Sequence, residues 1–266
     1  MIEYFLSLNH IVQAFLATTF TFLITVLGAA IVFFFRKINK TFMDGMLGFA
    51  AGVMIAASFW SLLSPSIEMA NSLNLNSWLI ATLGFLSGGI LLFISDKIFD
   101  ILDKNNNNNN NSSKKRVMML ISSITIHNIP EGLAVGIAFG SISYGLEGAT
   151  IISACLLALG IGLQNFPEGS AVSIPLLREG YSRKKAFLFG SLSAIVEPIS
   201  GVIGALLVLK IRLLLPFLLA FAAGAMIYVV VEELIPESQT NEKKDYMALF
   251  TLIGFSIMMI LDVALG

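Results

Sequence analysis

One short motif rich in polar and ionisable side chains occurs twice in this sequence. It reads HNIPEG at residues 127–132 and QNFPEG at residues 164–169, and residues 127–138 and 164–175 are identical at seven of twelve positions. Chance similarity does not explain a repeat of this density. Imidazole, carboxylate and amide groups are ligands for divalent metal ions, and the motif therefore points to metal binding.

Helical spacing indicates which side chains of each motif act together. The first and fifth positions lie one turn apart and share a helix face. The asparagine at the second position points about 100° further round. Two such motifs on neighbouring antiparallel helices can face one cavity. The sequence therefore predicts one layer of ligands from His127, Glu131, Gln164 and Glu168, and an adjoining polar layer from Asn128 and Asn165.

The elements that carry these motifs are predicted to be membrane-spanning helices. The chain has 266 residues, of which 56% are hydrophobic and 12% are charged, and this composition leaves too little polar surface for a soluble globule. Residues 11–35, 45–67 and 69–95 carry no charge, and each run can cross a bilayer core of about 30 Å. Further spans are predicted near 117–141, 148–177, 184–209, 212–235 and 246–265. We therefore expect an all-α bundle of eight transmembrane helices in the lipid bilayer, with residues 1–266 forming a single domain.

Both motifs are expected near the bilayer midplane. The first begins about ten residues, or roughly 15 Å, into its predicted helix, and Glu197 with Pro198 adds a further carboxylate in the sixth span. A charge at the centre of a membrane helix costs about 2.5–3.5 kcal/mol, and a bound divalent cation would offset that cost. The proline beside each glutamate is predicted to kink its helix.

Positive charges divide unequally between the two ends of the predicted helices. Fourteen of the 16 Lys and Arg residues fall at one end, and Lys210 and Arg212 fall at the other. Since positive loops stay in the cytoplasm, we expect a multi-pass protein of the cell membrane with both termini outside. The loop between helices three and four, residues 104–116, is then cytoplasmic, and its run of seven asparagines is expected to be disordered.

Composition and motifs exclude several other classes of function. A net charge of −1 provides no basic surplus for binding nucleic acid. The two histidines, His10 and His127, cannot form the His-Glu-x-x-His motif of a hydrolytic zinc enzyme, so we expect neither an enzyme nor a catalytic cofactor. A proton-coupled carrier of a small organic cation, using the same glutamates, is the alternative to a metal transporter.

At these residues the sequence resembles the ZIP family of divalent-metal transporters, and in particular its GufA-like bacterial branch. The resemblance rests on both motifs, on Val-Glu-Pro at 196–198 and on AGAMIYVVVEE at 223–233. It implies two inverted three-helix repeats around the central pair of helices four and five, with a binuclear metal site at the centre. The implied activity is uptake of divalent metal into the cytoplasm, zinc first, with iron, manganese, cobalt and cadmium as further cargoes, by a chain that forms homodimers.

The resemblance also implies a role for individual residues. In the first metal site it places His127, Glu131, Gln164 and Glu168, with Met54 as an additional ligand. In the second site it places Asn128, Asn165 and Glu197, with Glu131 and Glu168 as bridges. An entrance path is implied for Ser61 and Glu68, and an exit for Glu233. Many relatives have histidine in place of Gln164 and an acid in place of Asn165, which weakens the case for strict zinc selectivity.

Overall fold

A computed structural model describes residues 5–34, 39–105, 112–145, 149–178, 180–210 and 212–265 of the chain. Across these ranges the regular structure is helical throughout. Seven helices are long and apolar enough to cross a membrane, and the helix that carries the first motif completes the eight predicted crossings. We number them α1 His10–Phe34, α2 Lys40–Ser72, α3 Ser77–Asn105, α4 Ser112–Ser141, α5 Ile151–Arg178, α6 Arg183–Val208, α7 Leu215–Ser238 and α8 Lys244–Leu265.

The boundary between α2 and α3 differs from the sequence expectation. A charge-free run suggested a new span from residue 69, whereas α2 continues to Ser72 and α3 begins at Ser77. Glu68 does not end the helix because its side chain is exposed near the end of α2, where it accepts a hydrogen bond from Ser64 Oγ at 3.0 Å. The chain instead turns at Asn74, whose φ of 55° is left-handed, a conformation that asparagine tolerates better than most residues.

The asparagine-rich segment falls between two helices. Helix α3 extends to Asn105 and α4 begins at Ser112. Residues 106–111, the middle of the loop predicted over 104–116, lie outside the described residues. The disorder of this loop stays a prediction.

Prolines affect the helices unequally. Helices α4 and α5 continue without interruption through Pro130 and Pro167, so kinks at these two residues stay predictions. Helix α6 is interrupted at residues 193–195, between Arg183–Leu192 and Val196–Lys210. The carbonyl of Ala194, which Pro198 cannot engage, accepts instead from the Glu197 N–H at 3.0 Å.

The helices pack as two corresponding sets around α4 and α5. Helix α1 packs on α5 as α6 packs on α4, and α2 packs on α8 as α7 packs on α3. The sequence places fourteen Lys and Arg residues at one end of the helices, and we call that end of the bundle the basic side. The opposite side carries the turn at residues 73–76 and the short segment 142–145.

Glycines allow the closest approaches, and they occur in equivalent pairs. A methyl group at Gly132 would overlap the backbone of Glu197 in α6, and one at Gly169 would overlap the backbone of Thr25 in α1. In the same way, Gly52 allows α2 to approach the backbone of α8, and Gly224 allows α7 to approach the backbone of α3. Small residues at these positions let membrane helices approach backbone to backbone.

A repeat in the sequence matches this packing. Residues 50–55 read AAGVMI and residues 222–227 read AAGAMI, and AFL occurs at both 14–16 and 186–188 with the same separation along the chain. Five crossings lie between the copies, so the copies run in opposite directions through the bilayer. Helices α1–α3 and α6–α8 are therefore inverted three-helix repeats, and the architecture expected from the resemblance is confirmed.

Adjacent glycines in α3 provide a test of this packing. A methyl group at Gly88 would overlap the carbonyl oxygen of Phe221 and lie 2.9 Å from the nitrogen of Ala225, whereas one at Gly89 would lie 3.6 Å from its nearest neighbour, the oxygen of Gly224. Gly88→Ala should therefore destabilise the protein by about 1–3 kcal/mol. Gly89→Ala is the matched control and should change stability by less than about 0.5 kcal/mol. Thermal unfolding midpoints in detergent measure both, and equal midpoints for the two variants would contradict the packing.

Candidate metal centre

The motif side chains that the structure describes are buried between α4 and α5. Asn128, Glu131, Gln164 and Asn165 are at most 1% exposed, and Glu168 is 7% exposed. The two motifs contact each other directly, because Gln164 Nε2 donates to Glu131 Oε1 at 2.5 Å. The sequence prediction that the two motifs face each other therefore agrees with the observed placement.

Hydrogen bonds fix which end of each motif amide carries the NH2 group. Asn128 Nδ2 donates to the backbone carbonyl of Ser193 at 3.0 Å. Asn165 Nδ2 donates to the carbonyl of Thr21 at 3.2 Å and to both carboxylate oxygens of Glu197 at 2.9 and 3.0 Å. Because carbonyl and carboxylate oxygens only accept hydrogen bonds, the nitrogen of each amide must face its partner. The amide oxygens therefore point elsewhere.

Four buried oxygens of the motifs have no hydrogen-bond donor among the side chains and backbone that the structure describes. They are Asn128 Oδ1, Glu131 Oε2, Gln164 Oε1 and Asn165 Oδ1. An unsatisfied buried acceptor costs about 1–3 kcal/mol, and such groups are few in native proteins. Carboxylate and amide oxygens are ligands for divalent cations, so a bound cation or its water shell would satisfy these atoms.

Three carboxyl groups, those of Glu131, Glu168 and Glu197, lie near one another in this centre, and their negative charges would repel when ionised. Among the side chains that the structure describes, no three carboxylate, imidazole or thiol groups form a ready-made metal site. A cation bound here would therefore take amide oxygens as well as carboxylate oxygens.

The remaining predicted ligands lie on helices beside the motifs. His127 belongs to α4 by its backbone, one turn before Glu131, and its side chain lies outside the described part of the chain. Met54 is fully buried in α2, and α2 packs on α5. The roles of His127 and Met54 as ligands stay predictions.

Glu197 lies at the start of the second segment of α6 and is fully buried. Its carboxylate accepts hydrogen bonds from the hydroxyl of Thr21 and from Asn165. The break in α6 just before Glu197 also frees the Ser193 carbonyl that holds Asn128. Glu197 of α6 is therefore hydrogen-bonded to the second motif through Asn165.

A cavity of 560 Å³ connects the centre to the basic side. Its lining includes Glu168 from the motif, Asp44 from α2, and Glu232, Glu233 and Glu237 from α7. The π-helical stretch Val230–Leu234 supplies two of these carboxylates. In this conformation the cavity connects Glu168 to the basic side, and the predicted exit residue Glu233 lines it.

A smaller cavity of 210 Å³ lies on the opposite side. Both predicted entrance residues, Ser61 and Glu68, line it together with Asp262 of α8. Helix α2 has a π-helical stretch here, Ser58–Leu63, at the position in the repeat that corresponds to the stretch in α7. Ser61 and Glu233 occupy equivalent places in the two repeats, and each lines the cavity of its own side.

Sequence reasoning missed Asp262. Ser61 Oγ donates to Asp262 Oδ1 at 2.7 Å, and Asp262 Oδ2 has no donor among the described residues. The inverted repeat carries the signal that could have found this residue. Gly88 of α3 and Gly254 of α8 approach the equivalent residues Phe221 and Phe49, and aligning the two helices on these glycines places Asp262 opposite Asp96. An acid in the same place of both repeats is unusual in an apolar helix.

Sequence reasoning also missed the threonines of α1. Thr21 and Thr25 are buried, the Thr21 hydroxyl donates to Glu197, and the Thr25 hydroxyl donates to the Thr21 carbonyl at 3.4 Å. The repeat again carries the signal that could have found them. Aligning the two AFL segments, 14–16 and 186–188, places Thr25 opposite Glu197 and Thr21 opposite Ser193.

Eight helices around a buried polar centre define a multi-pass membrane protein. The chain belongs to the ZIP zinc transporter family, whose sequence model matches residues 10–117 and 104–262. It is 37% identical to human zinc transporter ZIP11 over 97% of this chain and 98% of that protein. It is 33% identical to zinc transporter ZIPB of Bordetella bronchiseptica, over 97% of this chain and 82% of that protein. Zinc transporter GufA of Myxococcus xanthus is 36% identical over 55% of each chain. The family expected from the motifs is confirmed.

Cation binding at the four oxygens can be tested with Glu131→Gln. A cation that binds the folded protein raises its thermal unfolding midpoint, and Zn2+ is the probe. We expect Glu131→Gln to reduce this upward shift strongly, because the amide removes the negative charge of Glu131. Glu242→Gln, at an exposed position of the loop before α8, should keep the full shift. An undiminished shift in Glu131→Gln would contradict the placement of the site.

Proposed function

We propose that the protein transports divalent transition metals, zinc first, and that the centre between α4 and α5 binds the ion in transit. The observation that carries the proposal is the set of four buried motif oxygens without donors among the described residues. Membership in the ZIP zinc transporter family supports metal as the cargo. A carrier of small organic cations is not favoured by this membership.

The proposed ligands form two adjoining sites. The first takes His127, Glu131, Gln164, Glu168 and Met54, and the second takes Asn128, Asn165 and Glu197, with Glu131 and Glu168 as bridges. An incoming ion would exchange its water for carboxylate and amide oxygens. Oxygen donors suit manganese as well as zinc, and imidazole and thioether suit softer ions, so iron, manganese, cobalt and cadmium are proposed as competing cargoes.

The proposed direction is inward, from the side opposite the basic side to the cytoplasm. The excess of Lys and Arg on the basic side supports a cytoplasmic location for that side, with both termini outside the cell membrane. The path would begin in the cavity lined by Ser61, Glu68 and Asp262 and end in the cavity lined by Glu233. A homodimer is proposed as the assembly from the family resemblance.

Zinc uptake into proteoliposomes tests the function and the site together. Glu131→Ala and Glu168→Ala should each reduce uptake to the level of protein-free vesicles, because each removes a charged oxygen ligand from a buried path. Glu242→Ala should transport like the wild type. Excess Cd2+ or Mn2+ should compete with Zn2+ for the wild-type protein. Uptake retained by both glutamate variants would contradict the site, and a wild type without metal uptake would contradict the function.

Orientation can be tested by labelling single cysteines in cells. The background is Cys155→Ser, which removes the natural thiol. A membrane-impermeant maleimide should label Ser72→Cys, on the side opposite the basic side, in intact cells. Glu242→Cys, on the basic side, should be labelled after the membrane is permeabilised. Both positions are exposed, and the reverse labelling pattern would contradict inward transport.

A further inference from the structure

Hydrogen bonds from α1 and α5 hold the carboxylate of Glu197. The Thr21 hydroxyl is shared between Glu197 Oε2 and the Thr18 carbonyl, which lies at 2.9 Å. Asn165 Nδ2 donates to both carboxylate oxygens. Glu197 is fully buried, and in this conformation both of its oxygens accept from side chains of the protein.

The same hydrogen bonds fix the amide of Asn165. One NH2 group faces the Thr21 carbonyl at 3.2 Å and the Glu197 carboxylate at 2.9 and 3.0 Å. Thr21 therefore acts on the Asn165 amide in two ways. Its backbone carbonyl accepts a hydrogen bond from the amide, and its hydroxyl holds the Glu197 carboxylate, which also accepts from the amide. The opposite end of the amide, Oδ1, is buried and has no donor among the described residues.

The equivalent asparagine in the first motif lacks this support. Asn128 Nδ2 donates to the carbonyl of Ser193, which the repeat places opposite Thr21. The repeat places Thr25 opposite Glu197, so this position is a glutamate in α6 and a threonine in α1. Asn165 is therefore oriented by a carbonyl and a carboxylate, whereas the Asn128 amide donates to a carbonyl.

We propose that Thr21 is a positioning residue for the metal site, acting through Glu197 and Asn165. Its hydroxyl fixes the carboxylate, the carboxylate fixes the amide, and the amide presents Oδ1 to the ion. Partners that orient a metal ligand typically change metal affinity by about 10–100-fold when they are removed. The inference rests on the proposed function, and it extends that function to a helix outside both motifs.

Substitution of Thr21 tests the inference. Thr21→Val removes the hydroxyl and keeps the shape of the side chain, and we expect the Kd and the KM for Zn2+ to rise on the order of tenfold. Thr21→Ser restores the hydroxyl and should restore both constants. Thr19→Val is the matched control on the same helix, because the Thr19 hydroxyl donates to the Phe15 carbonyl of its own helix at 2.7 Å. Unchanged constants in Thr21→Val would overturn the inference.

A double-mutant cycle separates positioning from packing. In an Asn165→Ala background the amide is gone, so Thr21→Val should add little further loss of Zn2+ affinity. The same loss in both backgrounds would mean that Thr21 acts by packing, and it would overturn the inference. A wild type that neither binds nor transports Zn2+ would contradict the proposed function itself. Wild-type transport with an unaffected Thr21→Val variant would contradict this inference alone.

Discussion

Unpaired oxygens in a membrane interior are the constraint on which the structure depends. Lipid supplies no hydrogen-bond donor, so a buried acceptor must find a partner within the protein, in water or in a bound ion. Here the NH2 groups of the motif amides are directed at backbone carbonyls and carboxylates, and the amide oxygens have no donors within the described part of the chain. The protein therefore uses its own acceptors to keep a set of oxygens available, and a divalent cation is the partner that suits them.

Close helix packing makes this arrangement geometrically possible. The glycine that follows each motif glutamate brings its helix against the backbone of α6 or α1, at Glu197 and Thr25. The approach brings the carbonyls of Ser193 and Thr21 within reach of the asparagines. Because α1 and α6 are equivalent in an inverted repeat, both halves of the centre use the same backbone contact. The halves differ in that one carries a glutamate where the other carries a threonine.

Much of the architecture could be predicted from the sequence, and the reasons are physical. Long charge-free runs specify membrane helices, and duplicated motifs at helical spacing specify two facing polar surfaces. Thr21 could not be found in this way, because a threonine in an apolar helix commonly bonds its own backbone, as Thr18 and Thr19 do. Asp262 was missed because a single acid near the end of a span resembles a helix reaching water. Both residues become apparent when the two repeats are aligned, which requires comparison across five crossings.

A metal-bound structure tests the central claim most directly. Crystals grown with Cd2+ or Zn2+ would locate the ion by its anomalous scattering. The account predicts an ion between α4 and α5, with oxygens of Glu131 and Asn165 at about 2.0–2.6 Å. A bound ion elsewhere in the bundle with none at this centre, or glutamates of the two motifs facing away from each other with no room for an ion between them, would contradict it.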